Sequence, residues 1–519
     1  MKQFFAKNIH FIYALVVATA CIFYHGYSYG GGDQEEHLPL VFKMFDPDLY
    51  KYDYYVSQES LTFSIRYFYV QVVYAVSTVM GVESACLLLF FLCIFLISYS
   101  FVKITAHFTS EKYTSFFAPL IFLLFYNEWT VGGNYFVLPV LICSVFSMAL
   151  CSFAFLQFFR KKYYFAAMCI GIAGLFQIVI AIHVAAILFI LLLAGEEKDK
   201  IRKLGISIFL FLLFSAPMLF PVLKHHFFTH NNYDANYYAR VLYYFRNPNH
   251  YLPSWFFPRD YARFFLLSFI GFSCAWLLKL MNRKQLFAMY FVVYAGAIVY
   301  FLLLEKFHFY PIGKIQWYRT TVWMTAFSSI FMVIAAGKVL NAVFTNIKFR
   351  DKIITPLLIA ELAMILIIFN GSKIPLEYFN QRYELGNRIY SDMSRMHSWI
   401  DENTDKDAVI LTEPGDVSFL CEAKRSMPIG YAAVIHEAFF MIPWYEKFNK
   451  IYGVNFEDIN KITSAKGAAE KKYRSYKFED KENLFNISYR INNVTTCDYV
   501  KELGPVVHRE GDYILTKMN

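Results

Sequence analysis

The sequence predicts a polytopic α-helical membrane protein of about eleven transmembrane helices, with a small α/β domain at its C-terminus. Three observations predict it. First, 57% of the 519 residues are hydrophobic and only 17% are charged, where a soluble chain carries about 25% charged residues; the mean hydropathy is +0.38. Second, apolar runs of roughly 20 residues, the length that crosses a bilayer, recur between short polar loops. Third, the Lys and Arg lie mostly in those loops. The formal charge of +9 therefore reads as a set of orientation signals and not as a nucleic-acid surface. The 57 Phe and 40 Tyr suit lipid-facing helices with rings at the interface.

The first run covers residues 9–24. It ends in Phe23-Tyr24-His25-Gly26-Tyr27, without the small residues of a cleavage site, so it is read as a retained span. An acidic outer loop, 25–60, follows. Residues 61–80 carry Ser64, Arg66, Gln71 and Ser77 and fit an amphipathic helix on the outer surface better than a span. Further spans are expected at 84–102, 115–126 and 135–158. Residues 163–194 are too long for one simple helix, so they divide into 163–176 and 182–194, meeting near Gln177 and His183. Span 204–222, a polar and aromatic outer loop 223–262, and spans 263–280, 285–303, 320–344 and 353–369 complete a transmembrane unit over 1–370.

The side assignment tests this count. With 61–80 on the surface, Lys2/Lys7, Lys103/Lys112, Arg160–Lys162, Lys198–Lys203, Arg283/Lys284 and Lys348–Lys352 all fall on one side, which the positive-inside rule makes the cytoplasm. If 61–80 spanned, the later basic loops would face out. The N-terminus is then cytoplasmic. The acidic loop, loops 127–134, 223–262 and 304–319, and the domain 371–519 are extracytoplasmic.

That last domain reads as α/β. Tyr383–Glu402 fits an amphipathic helix and Asp407–Thr412 a strand ending at the turn Glu413-Pro414-Gly415. Arg425–Ile429 fits a second strand, and Ile435–Gly453 a helix. Val506–Thr516 fits a strand pair turning at Glu510-Gly511-Asp512. Seven of the nine cysteines lie in or beside apolar runs as packing residues; Cys421 and Cys497 are the two that could pair.

Carboxylates beside a bilayer are costly to bury and mark working or metal sites. The densest set is Gly30-Gly31-Gly32-Asp33-Gln34-Glu35-Glu36-His37, followed by Asp46 and Asp48. The plainer alternative is a solvated polar loop. Asp33 follows the glycine turn nearest the first span and is the first choice for a general base. Glu36 and His37, at i+3 and i+4, share its face of a short helix. Asp33 and Glu36 could share a divalent cation, Mg or Mn, through hard oxygen ligands. Glu35, Asp46, Asp48, Glu128 and His183 are secondary candidates; His183, in an apolar stretch, is first a packing or capping residue.

Arg246-Asn247-Pro248-Asn249-His250-Tyr251 could bind phosphate through a forked, fixed charge, the alternative being a Pro-bounded interfacial loop. Lys314 and Arg319 enter a span from outside, against the positive-inside trend, and so imply an acidic partner or an anionic lipid head group. The adjacent pair His225-His226 cannot share a helical face and is a poor metal site.

The chain resembles the C-type (GT-C) glycosyltransferase superfamily. The resemblance rests on the acidic first loop Asp33–His37, the amphipathic helix after it, the many spans and the outer C-terminal domain. Within the superfamily it is most similar to bacterial members with an Arg-x-Pro-His-His-Tyr-like motif, here Arg246–Tyr251 with Asn249 in place of one His. Their tail motif corresponds to Trp399-Ile400-Asp401-Glu402-Asn403-Thr404-Asp405-Lys406-Asp407-Ala408. The resemblance implies an inverting enzyme of a bacterial inner membrane. It would move a sugar from a polyprenyl-phosphate donor to a lipid, glycan or protein acceptor. Asp33 would be the base, Glu36 or His37 would position the acceptor or a cation, and Arg246, His250 and Arg319 would hold the lipid phosphate. The competing readings are a transporter or flippase of lipid-linked glycans and a glycan polymerase.

Overall fold

The computed structural model describes residues 2–61, 63–110, 114–125, 130–136, 138–228, 233–344, 391–475, 485–497 and 504–518. The expected span 353–369 and Glu128 lie outside these residues, as do the side chains of His225 and His226.

The chain opens with α1 (Lys2–His25), α2 (Gln34–Phe45), α3 (Tyr54–Glu59), α4 (Tyr67–Met80) and α5 (Val82–Phe108). It continues with α6 (Thr114–Phe125), α7 (Cys143–Phe159), α8 (Tyr163–Phe176), α9 (Ile178–Ala194) and α10 (Lys200–Phe228). After the short helices α11 (Ala235–Ala239) and α12 (Pro248–Tyr251) come α13 (Pro258–Leu277), α14 (Arg283–Phe301) and α15 (Thr321–Phe344). Among the described residues, four stretches are long and apolar enough to cross a membrane: Val82–Phe108, Lys200–Lys224, Arg283–Lys306 and Tyr310–Val339. Their outward sides are greasy; Phe220 is 69% exposed and Phe291 58%. Apolar surface of that kind is at home in lipid and costly in water.

Several boundaries differ from expectation for local reasons. The helix expected over 135–158 starts at Cys143, because Gly132, Gly133 and Pro139 hold the preceding stretch irregular. The helix expected over 61–80 begins at Tyr67. The Ser64 hydroxyl caps the Arg66 N–H at 3.0 Å and also donates to Glu59, so residues 63–66 form a turn. With 14 residues, α4 is roughly 21 Å long, short of the ~30 Å hydrocarbon core. The division of 163–194 falls at Gln177, whose extended backbone (φ −151°, ψ 92°) separates α8 from α9; His183 lies inside α9.

The C-terminal region holds α16 (Asp392–Asn403), α17 (Phe419–Glu422), α18 (Ala438–Tyr452) and α19 (Ala465–Ser475) against a four-stranded sheet. Its order is β1 (Ile410–Leu411), β2 (Tyr489–Asn493), β4 (Tyr513–Lys517), β3 (Val506–Glu510), with β1 parallel to β2 and the other pairs antiparallel. The hairpin expected over 506–516 is β3–β4. The strand expected at 425–429 is only a single bridge, Val409 to Ser426. The inner strand β2 is hidden by its polar letters: Arg490 is 1% exposed, its guanidinium stacked 4.6 Å from the Tyr473 ring. Cys421 and Cys497 form no disulfide; the Cys421 thiol packs against the Gln34 carbonyl at 3.5 Å.

A buried triad joins α16 to α17. His397 is fully buried, with Nε2 2.9 Å from Asp416 and Nδ1 3.0 Å from Glu422. Burial works against the imidazolium, but Asp416 and Glu422 override it and raise His397 to about 9. A raised histidine stabilises the fold fully below its unfolded value of about 6.5 and loses that contribution as pH climbs through about 9. We predict a fall of about 3 kcal/mol between those limits. It would be read as a lower unfolding temperature of the detergent-solubilised protein. The His397→Gln variant should lack this pH-dependent component, and an equal slope in both proteins would refute the assignment.

Candidate active site

The first turn of α2 is placed by the glycine turn before it. Gly30 and Gly32 have φ of 73° and 58°, which glycine adopts without strain. Gln34 locks the turn: its Oε1 accepts from the Gly30 N–H at 2.8 Å, and its amide donates to the Leu141 carbonyl at 3.1 Å. Asp33 stands at the N-cap position and its side chain makes no capping bond.

Asp33, Glu36 and His37 face a cavity of about 790 Å³ that Arg246, His250, Lys314 and Arg319 also line. Every primary candidate thus meets in one space. The arginine and histidine of the 246–251 motif arrive on a π-helical turn, Arg240–Arg246, and on α12. Lys314 and Arg319 arrive on the 3-10 turns Tyr310–Ile315 and Trp317–Thr320 that lead into α15.

The charges are unevenly matched. The Asp33 carboxylate is exposed to the cavity and has no hydrogen bond or ion pair among the described residues. Glu36 is ion-paired with Arg66, which also binds Glu59 at 3.1 Å and the Val434 carbonyl at 3.0 Å. Burial pushes the Glu36 carboxyl up to about 7, although Arg66 pulls the other way. Lys314 lies 3.3 Å from Glu437. Arg246 and Arg319 have no carboxylate partner among the described residues, and the Nε of each is without a hydrogen bond. Burial holds His250 and His436 well below the ordinary histidine value, and the surrounding cations add to this. The cavity therefore combines one open carboxylate, two guanidiniums that form no ion pair among the described residues, and three neutral imidazoles, His37, His250 and His436. That set can take a proton from a hydroxyl and bind an anion.

Part of the cavity wall is apolar. Phe176, Ile178 and Ile182 around the α8–α9 break line it, as do Met218, Leu219 and Val222 of α10. The break leaves irregular backbone in that wall, which an apolar surrounding tolerates where it lines a cavity.

The secondary candidates stand elsewhere. Glu35 is 1% exposed and outside the cavity wall, raised well above the carboxylate range by burial first and then by Asp416. Asp46 pairs with Lys406 at 2.6 Å on the surface, and Asp48 is exposed. His183 is buried under the site, 2.7 Å from the Ile315 carbonyl, a supporting role. His37 lines the cavity but turns Nε2 to Cys143 at 3.4 Å. No cluster of three potential metal ligands occurs among the described residues. Asp33, Glu36 and Glu437 are the carboxylates in the wall.

Reasoning from the sequence misses four residues of the site: Arg66, Tyr431, His436 and Glu437. Arg66 carries a usable signal, since an arginine in an apolar stretch demands a buried acid. His436 and Glu437 fall in the helix expected over Ile435–Gly453, and Tyr431 lies in the unassigned stretch before it. A family model described as a domain of unknown function (DUF6798) matches residues 391–451, which include them. No curated protein matches the chain.

The loop behind the site tests how tightly it is built. Gly132 has φ of 118°, and a Cβ there would sit 2.5 Å from the Tyr318 carbonyl, next to Arg319. Gly132→Ala should cost about 1–3 kcal/mol. Thermal unfolding checks this, and an unchanged variant would mean that the loop is slack.

Proposed function

We propose that this protein is a GT-C-type inverting glycosyltransferase that takes a sugar from a polyprenyl-phosphate donor at the outer membrane face. The observation that carries the reading is the meeting of an open carboxylate, Asp33, with Arg246 and Arg319 in one cavity that apolar residues of α8, α9 and α10 also line. A prenyl-phosphate sugar needs both an anion site and apolar surface.

In the proposed reaction the acceptor hydroxyl oxygen bonds to the anomeric carbon as the carbon–oxygen bond to phosphate breaks. Asp33 takes the hydroxyl proton, and the phosphate leaves with the electron pair. Arg246, Arg319 and Lys314 face the charge that gathers on it, the kind of fixed complementarity that lowers such barriers. The neutral His250 can bond a phosphate or sugar oxygen. Asp33 and Glu36 offer hard oxygen ligands to Mg or Mn, which would supply further charge for the phosphate.

The proposed topology is eleven spans with a cytoplasmic N-terminus and an extracytoplasmic domain over 371–519. Asp33 precedes α4 and Arg246 and Arg319 follow it, yet they share one cavity, which supports a surface position for α4. The acceptor is a lipid, glycan or protein.

The test is release of polyprenyl phosphate from a panel of radiolabelled polyprenyl-phosphate sugars by purified protein in lipid nanodiscs, with and without Mg or Mn. Sugar-dependent release supports the enzyme. Saturable donor binding without release across the panel would favour a transporter.

A further inference from the structure

Between α17 and α18 the chain runs as an irregular stretch, Tyr431–Glu437, of which Tyr431, His436 and Glu437 line the cavity. Its few residues touch three of the cavity's cations. The Ala432 carbonyl accepts from Arg246 at 2.8 Å, the Val434 carbonyl accepts from Arg66 at 3.0 Å, and Glu437 pairs with Lys314. These contacts bring together elements far apart in sequence.

Arg246 is held most closely. Its guanidinium lies 4.2 Å from the centroid of the Tyr431 ring, within the range of a cation–π contact. The Tyr431 hydroxyl donates to the Arg246 backbone carbonyl at 2.9 Å. Ring, hydroxyl and the next residue's carbonyl thus fix both the main chain and the head group of one arginine. The arginine's other terminal nitrogen donates to the Asn247 side chain; no acid forms an ion pair with that arginine among the described residues, and its Nε has no hydrogen bond. Tyr431 is itself 8% exposed and held in place from below, because the Gly430 carbonyl accepts from Trp444 of α18 at 2.9 Å. A neutral clamp keeps the positive charge available, whereas a carboxylate would cancel it.

We propose that Tyr431–Glu437 is the positioning element of this cation cluster, with Tyr431 the positioning residue that aims Arg246 at an anionic ligand. The stretch falls within the segment matched by the family model of unknown function. On this inference that segment completes and orders the anion site of the transmembrane part. The anion's identity as a lipid phosphate rests on the reading in the preceding subsection; the clamp itself does not.

The experiment uses the full chain in lipid nanodiscs and reads phenylglyoxal modification of Arg246 and Arg319 separately by peptide mass. Tyr431→Leu removes ring and hydroxyl, and Tyr431→Phe removes only the hydroxyl. Arg246 should react about tenfold faster in Tyr431→Leu, the change a contact of this class supports, and about threefold faster in Tyr431→Phe. Arg319 should keep its rate in both. Equal Arg246 rates in all three proteins would overturn the proposal. So would a matched rise at Arg246 and Arg319, which marks general loosening. Tyr431→Phe keeps the packing, so the test survives if Tyr431→Leu does not fold. Farnesyl phosphate is then added to the wild type. Protection of Arg246 supports the anionic ligand. Faster modification in the Tyr431 variants without protection by farnesyl phosphate would leave the clamp standing and remove the lipid-phosphate reading.

Discussion

Asp33→Asn should lower sugar transfer by about 10²–10⁴-fold, the usual cost of losing a general base, and leave folding stability within about 0.5 kcal/mol. The two halves of this expectation have separate causes. The carboxylate faces the cavity and has no partner among the described residues, so the fold does not lean on it. Asparagine keeps the shape and the N-cap position but accepts no proton. Transfer assays and thermal unfolding of the same preparations check both. Retained transfer would move the base to Glu36, three residues on in the same wall. Burial has already pushed that carboxyl up to about 7, close to the value a base at neutral pH needs. A loss of transfer that added Mg or Mn restores would instead assign Asp33 to cation binding. A loss of transfer accompanied by unfolding would deny it any specific role.

Much of this site is legible in the letters because its chemistry is expensive. Asp33, Arg246, Lys314 and Arg319 stand out as charges at the ends of apolar runs, where a charge without a role costs free energy. The loop sides expected from the basic residues put the acidic loop together with the arginine loops, and residues of both line one cavity. Secondary structure is legible where period and punctuation agree, as at the β3–β4 hairpin turning on Gly511 and at the α8–α9 break. It is not legible where tertiary contacts override the letters. Arg490 in β2 reads as surface, yet the Tyr473 ring and hydroxyl satisfy it inside the fold. Ile435–Glu437 reads as the start of the next helix, which begins only at Ala438. Arg66, Arg246 and Lys314, none of them near in sequence, hold the Tyr431–Glu437 stretch in its irregular course. Asp46 and Glu35 stand beside Asp33 in the chain, and only three-dimensional placement separates a surface ion pair and a buried carboxyl from the residue that faces the cavity.

Arg66→Met should destabilise the protein by about 3–5 kcal/mol, the cost of leaving a buried charge without its partner. Arg66 is 4% exposed and binds Glu36, Glu59 and the Val434 carbonyl. It therefore ties α2 and α3 to the Tyr431–Glu437 stretch from its own position at the start of α4. Methionine fills much of the volume, so the loss is electrostatic more than a matter of packing. Glu59, with its side chain 2% exposed, is the residue stranded furthest from water. Adding Glu59→Gln to Arg66→Met should for that reason recover about 1–2 kcal/mol, a non-additivity expected only of residues in one network. Unfolding temperatures of the single and double variants in one detergent give the answer. If Arg66→Met costs under about 1 kcal/mol, water reaches the two carboxylates and the network is not closed. If the cost is large but Glu59→Gln adds to it, the lost interaction is the bond to Val434, and the arginine serves mainly to hold the C-terminal segment over the cavity.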